Sequence, residues 1–359
     1  MAIFNVLPSV TDRPVRIGLL GAGAVAQTAH LPAYRRLLRK AELIAICDNE
    51  PGKLRALRER TGVVHAAASL DDLLSIDELD AVDICLPSHE HASAVIRCLE
   101  AGKHVLCEKP LGLTAKEVED VLVAQEKSGR HLLVGMNNRY RDDSILLRSF
   151  IQDGALGDVF RARAGWLKRR ERVKPGAWQY ERSKSGGGVV MDLGIQLVDL
   201  VLWLCAYPSP ERVSAAFYYH MPDIDVEDTA VIELTCAGGL LITLDVSWHF
   251  LVEKEEYDHF LNLYGTAGSG LLNPLRVFQR MHGNLVNVTP QAQRRIGNIY
   301  MESYERELAF FAGVVAGREK PPPLTEQRTL ARTLDAVRRA AGEGREVRLD
   351  EDLPPLPSA

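Results

Sequence analysis

No pair of cysteines in this chain is spaced for a metal or a redox couple. The six that occur (47, 85, 98, 107, 205 and 236) include no CxxC, and several lie inside apolar runs. There they read as small hydrophobic thiols. This excludes a disulfide framework or a zinc site and points to a reducing compartment, so a cytoplasmic location is expected. Surplus basic charge is missing too. The net charge of −5 gives no electrostatic footprint for nucleic acid. The basic cluster Lys168-Arg169-Arg170-Glu171-Arg172 reads as a solvated loop. No uninterrupted apolar run reaches the roughly 18 residues of a membrane span. The segment Val189–Cys205 comes nearest but holds two aspartates. Met1 to Arg13 lacks a basic stretch followed by an apolar core, so no signal peptide is expected. Internal repeats and low-complexity tracts are absent as well. What remains is a globular composition, 46% hydrophobic and 25% charged, in a chain of 359 residues. That length exceeds one ordinary core and predicts two domains.

The first half alternates strands and helices. Val15–Leu20 reads as a buried strand, followed by Gly21-Ala22-Gly23-Ala24-Val25-Ala26 and a helix to about Arg39. This is a G-x-G-x-x-A dinucleotide fingerprint in its strand–turn–helix setting. Gly21 permits the tight turn, Gly23 lets the backbone approach a pyrophosphate, and Ala26 allows close helix–strand packing. The amides opening the helix, around Ala24 and Val25, would face the phosphates. A second strand, Glu42–Cys47, ends at Asp48, which lies 22 residues beyond Ala26. That is near the spacing of the acid that binds ribose hydroxyls, and its charge would repel a 2′-phosphate, so NAD is expected rather than NADP. Further strands follow at Ala81–Leu86, His104–Cys107 and His131–Gly135. Ser69 reads as the N-cap of a short helix at Asp71–Leu74. Longer helices are expected over Glu90–Ala101 and from Thr114 to about Lys127. The pattern predicts a doubly wound parallel sheet with ligands at the carboxyl ends of its strands. Three loops there stand out: Pro87–His91, Glu108-Lys109-Pro110, and Asn137–Tyr140. Lys109 is either a turn lysine or a partly desolvated cation of lowered pKa that moves protons. His89 and His91, two residues apart with no third ligand nearby, do not make a metal pair, and no metal is expected.

After Tyr140 the pattern changes. A helix at Asp143–Gln152 precedes a run of strands: Val159–Trp166, Arg212–His220, Thr229–Cys236, Leu240–Ser247, Asp258–Tyr264, Arg276–Met281 and Leu285–Val288. Strands in succession predict a mainly antiparallel sheet. One face should pack on helices. The other, with Phe217, Val231, Leu234, Leu244 and Val246, reads as apolar enough to meet a second subunit. Helices at Met301–Ala316 and Glu326–Ala341 close the chain.

Between the strands Val159–Trp166 and Arg212–His220 lies Gly186-Gly187-Gly188, opening a helix to Cys205 that is apolar nearly all round and so should be buried. It nonetheless carries Asp192, Gln196 and Asp199 at i, i+4 and i+7, one stripe on one face. The stripe is either a structural polar seam or the wall of an active site; with the fingerprint, Lys109 and the triple glycine beside it, Asp192 and Gln196 read as an active-site face and Asp199, one turn farther along, as structural.

These motifs resemble the Gfo/Idh/MocA oxidoreductase family, the group containing glucose–fructose oxidoreductase and inositol dehydrogenase. The resemblance rests on Gly21–Ala26, on Ala101-Gly102-Lys103-His104-Val105-Leu106-Cys107-Glu108-Lys109-Pro110, on Gly186–Gly188 with Asp192 and Gly194, and on Tyr264-Gly265-Thr266-Ala267-Gly268. It spans roughly residues 15–349. The fold class expected is α/β: an N-terminal Rossmann doubly wound parallel sheet (1–137), then a C-terminal α+β domain with a large open, mainly antiparallel sheet (138–359) that binds substrate and pairs subunits. The resemblance implies hydride exchange between a nicotinamide and a CH–OH carbon of a sugar, cyclitol or polyol. It also implies a homodimer or homotetramer, with no nucleic-acid or membrane partner. It places Lys109 and Asp192 beside the nicotinamide, and Leu86, Pro87, His91, Glu108 and Asn137 on the cofactor side. Tyr140, Trp178 and Gln196 are expected to meet substrate.

One position departs from the family pattern. Asp-x-Gly-x-His is here Asp192-Leu193-Gly194-Ile195-Gln196, and that histidine is usually the acid–base residue. Glutamine bonds hydroxyls but does not titrate near neutral pH. The proton must then fall to Lys109 tuned by Asp192, to water, or to Tyr140 or Tyr180. Two other readings follow from the loss: a nucleotide- or sugar-sensing regulator without redox chemistry, and elimination or glycoside cleavage through transient oxidation with tightly held NAD.

Overall fold

A computed structural model describes residues 13–37, 39–169, 176–250, 259–290 and 298–351. Most of the N-terminal stretch Met1–Arg13, the basic run beyond Arg169 as far as Pro175, and residues 251–258 lie outside the described residues.

Six parallel strands form the first sheet: β1 (Val15–Leu20), β2 (Ala41–Cys47), β3 (His65–Ala67), β4 (Ala81–Ile84), β5 (His104–Glu108) and β6 (Leu132–Gly135), in the order β3-β2-β1-β4-β5-β6. Their buried runs, such as Ala81–Ile84, suit a sheet covered on both faces. The order reverses beside β1, and the crevice at that switch point lies beyond the carboxyl ends of β1 and β4. Two elements escaped the sequence pattern: β3 and the helix Pro51–Thr61. That helix buries only Leu54 and Leu57 among its charges, so it shows almost no apolar stripe. The helix expected through Arg39 is shorter, a π-wound turn at Ala26–His30 and one α-turn at Leu31–Tyr34.

The second sheet contains β7 (Val159–Arg169), β8 (Pro210–Tyr218), β9 (Thr229–Cys236), β10 (Leu241–Phe250), β11 (His259–Gly265), β12 (Gly268–Leu272), β13 (Arg276–Met281), β14 (Asn284–Asn287) and β15 (Val347–Arg348). The order is β14-β13-β12-β11-β7-β10-β9-β8-β15. All described pairings in it are antiparallel except β7 with β10, which run parallel at its centre. The apolar outer face inferred above needs correction. Leu234, Leu244 and Val246 are buried in the core, Phe217 packs against it, and of the five only Val231 faces out. Parity explains this: residues 231 and 234 sit on opposite faces of one strand. The outward side near Val231 presents Thr229 and Glu233 as its strand neighbours, so the surface is mixed.

The glycine-led segment runs between the sheets. It is wound as a π-helix over Val190–Gly194 and as an α-helix over Ile195–Leu204. By length and composition the stretch Arg182–Leu204 could cross a membrane, but 83% of its apolar window is buried inside the molecule, as in a core helix. No Ser, Thr or Asp caps it. Glu227, from the loop before β9, accepts hydrogen bonds from the N–H groups of Gly188 (2.8 Å) and Val190 (3.2 Å), which occupies amides a helix end leaves free. The approach is so close that a Cβ at Gly188 would lie 1.9 Å from the Glu227 carbonyl oxygen. Only glycine fits there. The helix Ile299–Val315 returns to the first sheet, where Leu308, Phe311 and Ala312 pack with Val15, Ile17 and Leu106.

Candidate active site

A cleft of about 970 Å³ runs from the end of β2, past the Gly21 turn, to the π-wound segment of the glycine-led helix. At one end, Gly21 has φ +88°, and a Cβ there would lie 2.7 Å from the Cys85 carbonyl oxygen. The turn is bare because nothing larger fits. Asp48 receives the N–H of Ala22 (2.9 Å) and that of Glu50 (2.9 Å), with Lys53 at 3.2 Å. It therefore ties the end of β2 to the glycine turn. Gly23, Ala24, Val25, Leu86, Pro87, His91 and Glu108 all line this part of the cleft.

His91 acts as a staple. Its Nδ1 is 2.6 Å from the Pro110 carbonyl and its Nε2 is 2.8 Å from that of Leu86, joining two cleft loops. Burial pushes its pKa down against the pull of those carbonyls. Glu108 is held from two sides: Oε2 accepts the Lys109 N–H at 3.1 Å, and Oε1 lies 3.1 Å from His30 Nε2. The other nitrogen of His30 meets Asp83 at 2.7 Å, and Tyr34 donates to the same carboxylate at 2.8 Å. Burial opposes charge on His30, but the neighbouring charges outweigh it and raise its pKa well above the ordinary histidine value. An imidazolium thus sits between two carboxylates beneath the cleft. His30, Asp83 and Cys85 bring three potential ligand atoms within 4.8 Å of one another. The His30 and Asp83 atoms are already paired directly, which explains their proximity without a metal.

At the far end, Lys109 Nζ donates to Asp192 Oδ1 (2.9 Å) and to the Asp192 main-chain carbonyl (3.0 Å). Trp248 Nε1 donates to Asp192 Oδ2 at 3.1 Å, and Lys168 Nζ stands 3.8 Å from that oxygen. Burial would lower the Lys109 pKa, as the sequence suggested, but the Asp192 charge and hydrogen bond reverse the sign and raise it. Burial would raise that of Asp192, yet Lys109 and Lys168 hold it down to about 2. Lys109 is therefore a firm ammonium rather than a ready base.

Gln196 also lines the cleft, but both ends of its amide are engaged: Oε1 accepts from Asn138 (2.9 Å) and Nε2 donates to the Asp192 carbonyl (3.1 Å). Asp199, one turn beyond Gln196, continues the stripe into the interior, where it meets Arg139 and Tyr207; Gln196 and Asp199 take hydrogen bonds from the adjacent residues Asn138 and Arg139. Trp178 lines the cleft as expected, together with Trp166, Tyr180 and Trp248. Ala26 is in the core, as its packing role requires. Two expected residues stand elsewhere: Asn137 donates to Ser303 Oγ at 3.0 Å, and Tyr140 packs on Phe310 with ring centroids 5.5 Å apart. Glu227 and His30 were missed, because their partners lie far off in sequence. Lys168 and Trp248 fall in the stretches Trp166–Tyr180 and Trp248–Glu255, which the sequence marks as specificity loops without a readable code.

Family models match this chain over residues 15–136, as the oxidoreductase family with an NAD-binding Rossmann fold, and over residues 145–270, as the GFO/IDH/MocA C-terminal domain. The chain belongs to the GFO/IDH/MocA oxidoreductase family. This family member is 27% identical over 351 residues to a myo-inositol 2-dehydrogenase of Thermotoga maritima, covering 94% of this chain and 99% of that one. It is 25% identical over 313 residues to a D-glucoside 3-dehydrogenase of Escherichia coli, covering 83% and 88%. A levoglucosan dehydrogenase solved in complex with NADH superposes with a TM-score of 0.84 at 22% identity, over 94% of this chain and 99% of that one. It shares the fold. The GFO/IDH/MocA chain described here is thus a nicotinamide-dependent oxidoreductase.

Proposed function

We propose that the protein transfers a hydride between NAD and a CH–OH or carbonyl carbon of a sugar, cyclitol or related polyol, with Lys109 and Asp192 at the reacting centre. One observation carries this: the Lys109–Asp192 pair closes the same cleft that opens at the bare Gly21 turn. The cleft suits a dinucleotide, with backbone free to approach at Gly21 and Gly23 and Asp48 at the ribose end. A bound nicotinamide would supply the hydride acceptor or donor. Asp192 fixes the Lys109 ammonium, which binds the reacting oxygen and stabilises negative charge developing there. In reduction Lys109 also gives that oxygen a proton and is reprotonated from solvent; in oxidation the ammonium stabilises the developing alkoxide while the hydroxyl proton passes to water in the open cleft. Gln196 braces Asp192 and Asn138 and moves no proton. The rings of Trp166, Trp178, Tyr180 and Trp248 form the largely apolar wall expected of a small-molecule site, with few polar groups to fix orientation. NAD is preferred because the Asp48 carboxylate repels a 2′-phosphate. We place the domain division near residue 137. The six free thiols, five of them buried, support a reducing compartment, and the outer face of the second sheet around Val231 is the surface we assign to subunit pairing.

A panel of sugars and inositols assayed with NAD+ and with NADP+ tests this reading. NADH formation from at least one polyol is expected, with at least tenfold preference for NAD+. No turnover with either cofactor across the panel would instead favour the sensing regulator, which the engaged amide of Gln196 supports. Turnover of a glycoside without net NADH would favour transient oxidation.

A further inference from the structure

At the substrate end of the cleft one ammonium has, among the described residues, no hydrogen bond to an acid. Two ammonium groups, Lys109 from just beyond β5 and Lys168 from β7, face one carboxylate, Asp192. They are not equivalent. Lys109 is hydrogen-bonded to Asp192 twice, and its side chain is 19% exposed. Lys168 stands at 3.8 Å, too far for a hydrogen bond, with its side chain 37% exposed. It keeps donors for a ligand. Glu108 also lines the cleft and faces Lys109, its oxygens held by His30 and by the Lys109 N–H. The four aromatic rings and Gln196 bring no charge. Among the described residues lining this end, Lys109 is thus paired, and Lys168 is the ammonium without a hydrogen-bonded acid.

The position of Lys168 suits a binding group. Its Nζ lies 5.5 Å from the centroid of the Trp166 ring, an arrangement that steadies a cation without neutralising it. An ammonium with free donors in a walled cleft attracts an ion of opposite sign. One such ammonium matches a single carboxylate. A phosphate ester, carrying about −1.5 to −2 at neutral pH, would overshoot it.

We propose that the substrate is a polyol bearing one carboxylate, a uronate or aldonate, and that Lys168 is the specificity residue that pairs with this carboxylate while Lys109 takes the reacting oxygen. The inference rests on the proposed polyol reading and adds the charge.

Calorimetric titration of the NADH-loaded protein with glucuronate, galacturonate and gluconate, each against its neutral counterpart (glucose, galactose and glucitol), tests it apart from turnover. At least one acid should bind tenfold or more tightly than its counterpart, with the preference shrinking as salt rises. Lys168→Met should abolish the preference and Lys168→Arg should retain part of it, both variants folding as the wild type does by circular dichroism. If no acid binds more tightly than its neutral counterpart, or if the preference survives in Lys168→Met, the inference is overturned. Turnover is read separately. Equal turnover of acids and neutral sugars sinks the charge assignment and leaves the oxidoreductase reading standing. Tight, Lys168-dependent acid binding without turnover of any polyol does the opposite.

Discussion

Replacing Lys109 with Met lowers kcat/KM for polyol oxidation about 10³-fold, a loss of about 4 kcal/mol in transition-state stabilisation. The size follows from what Lys109 does. It is the cation closest to the Asp192 carboxylate, held by bonds of 2.9 and 3.0 Å. A preorganised ammonium of this kind costs little reorganisation when charge develops on the reacting oxygen. Methionine keeps the length of the side chain but supplies neither charge nor proton. Affinity for NADH, measured by fluorescence titration, should change far less, because the turn at Gly21 and Asp48 occupies the other end of the cleft. Lys109→Arg should recover part of kcat and none of the proton donation, since guanidinium stays charged throughout. If Lys109→Met kept more than about a tenth of wild-type kcat/KM, the ammonium would not be the group that stabilises the oxygen.

The second large effect falls on stability. Arg139 is buried, with Nε donating to Asp199 at 2.7 Å and Nη1 donating to Glu326 at 2.6 Å, and its guanidinium lies 5.5 Å from the centroid of the Tyr207 ring. Arg139→Met strands two acids, and breaking a buried pair from one side typically costs 3–5 kcal/mol. That is a large part of the 5–15 kcal/mol by which a protein is usually stable. Urea unfolding of the variant should show a midpoint shifted well below wild type. Adding Asp199→Leu to Arg139→Met should return part of the loss, because it removes one unpaired charge. Equal midpoints for wild type and Arg139→Met would mean that the cluster is hydrated and contributes little.

The two effects concern residues that the sequence grouped or ignored for identifiable reasons. Lys109 and Asp192 sit in motifs whose spacing carries information, and the structure brings them together although 83 residues separate them. Asp199 shares the helical stripe with Asp192 but lies two turns farther along; the sequence already assigns it a structural role, and its buried pairing with Arg139 fits that. Lys168 looked like one charge in a basic run. It becomes a cleft residue because β7 continues through it to Arg169, and a charged strand end in sequence is hard to tell from a solvated loop. Glu227 and His30 exert their effects through partners 37 to 78 residues away. Such contacts depend on topology and not on local pattern. The parallel sheet, by contrast, was legible because buried strands, helix caps and the glycine turn all repeat a local signal.

Gln196 frames the central question, which is whether hydride transfer proceeds here with no histidine in the acid–base position. Lys109, with its pKa raised, stays an ammonium throughout the neutral range and loses its proton only as pH rises past the ordinary lysine value. Asp192, lowered to about 2, loses its charge only in strong acid. Neither titrates between about pH 5 and 9. The decisive measurement is the pH dependence of kcat/KM for reduction of a keto-polyol by NADH, in wild type and in Gln196→His. The wild type should be active and flat across that range, while the histidine variant should gain a limb near its own pKa, about 6.5. A wild-type limb between pH 5 and 8, or no reduction at all, would contradict the assignment of the chemistry to Lys109 and Asp192.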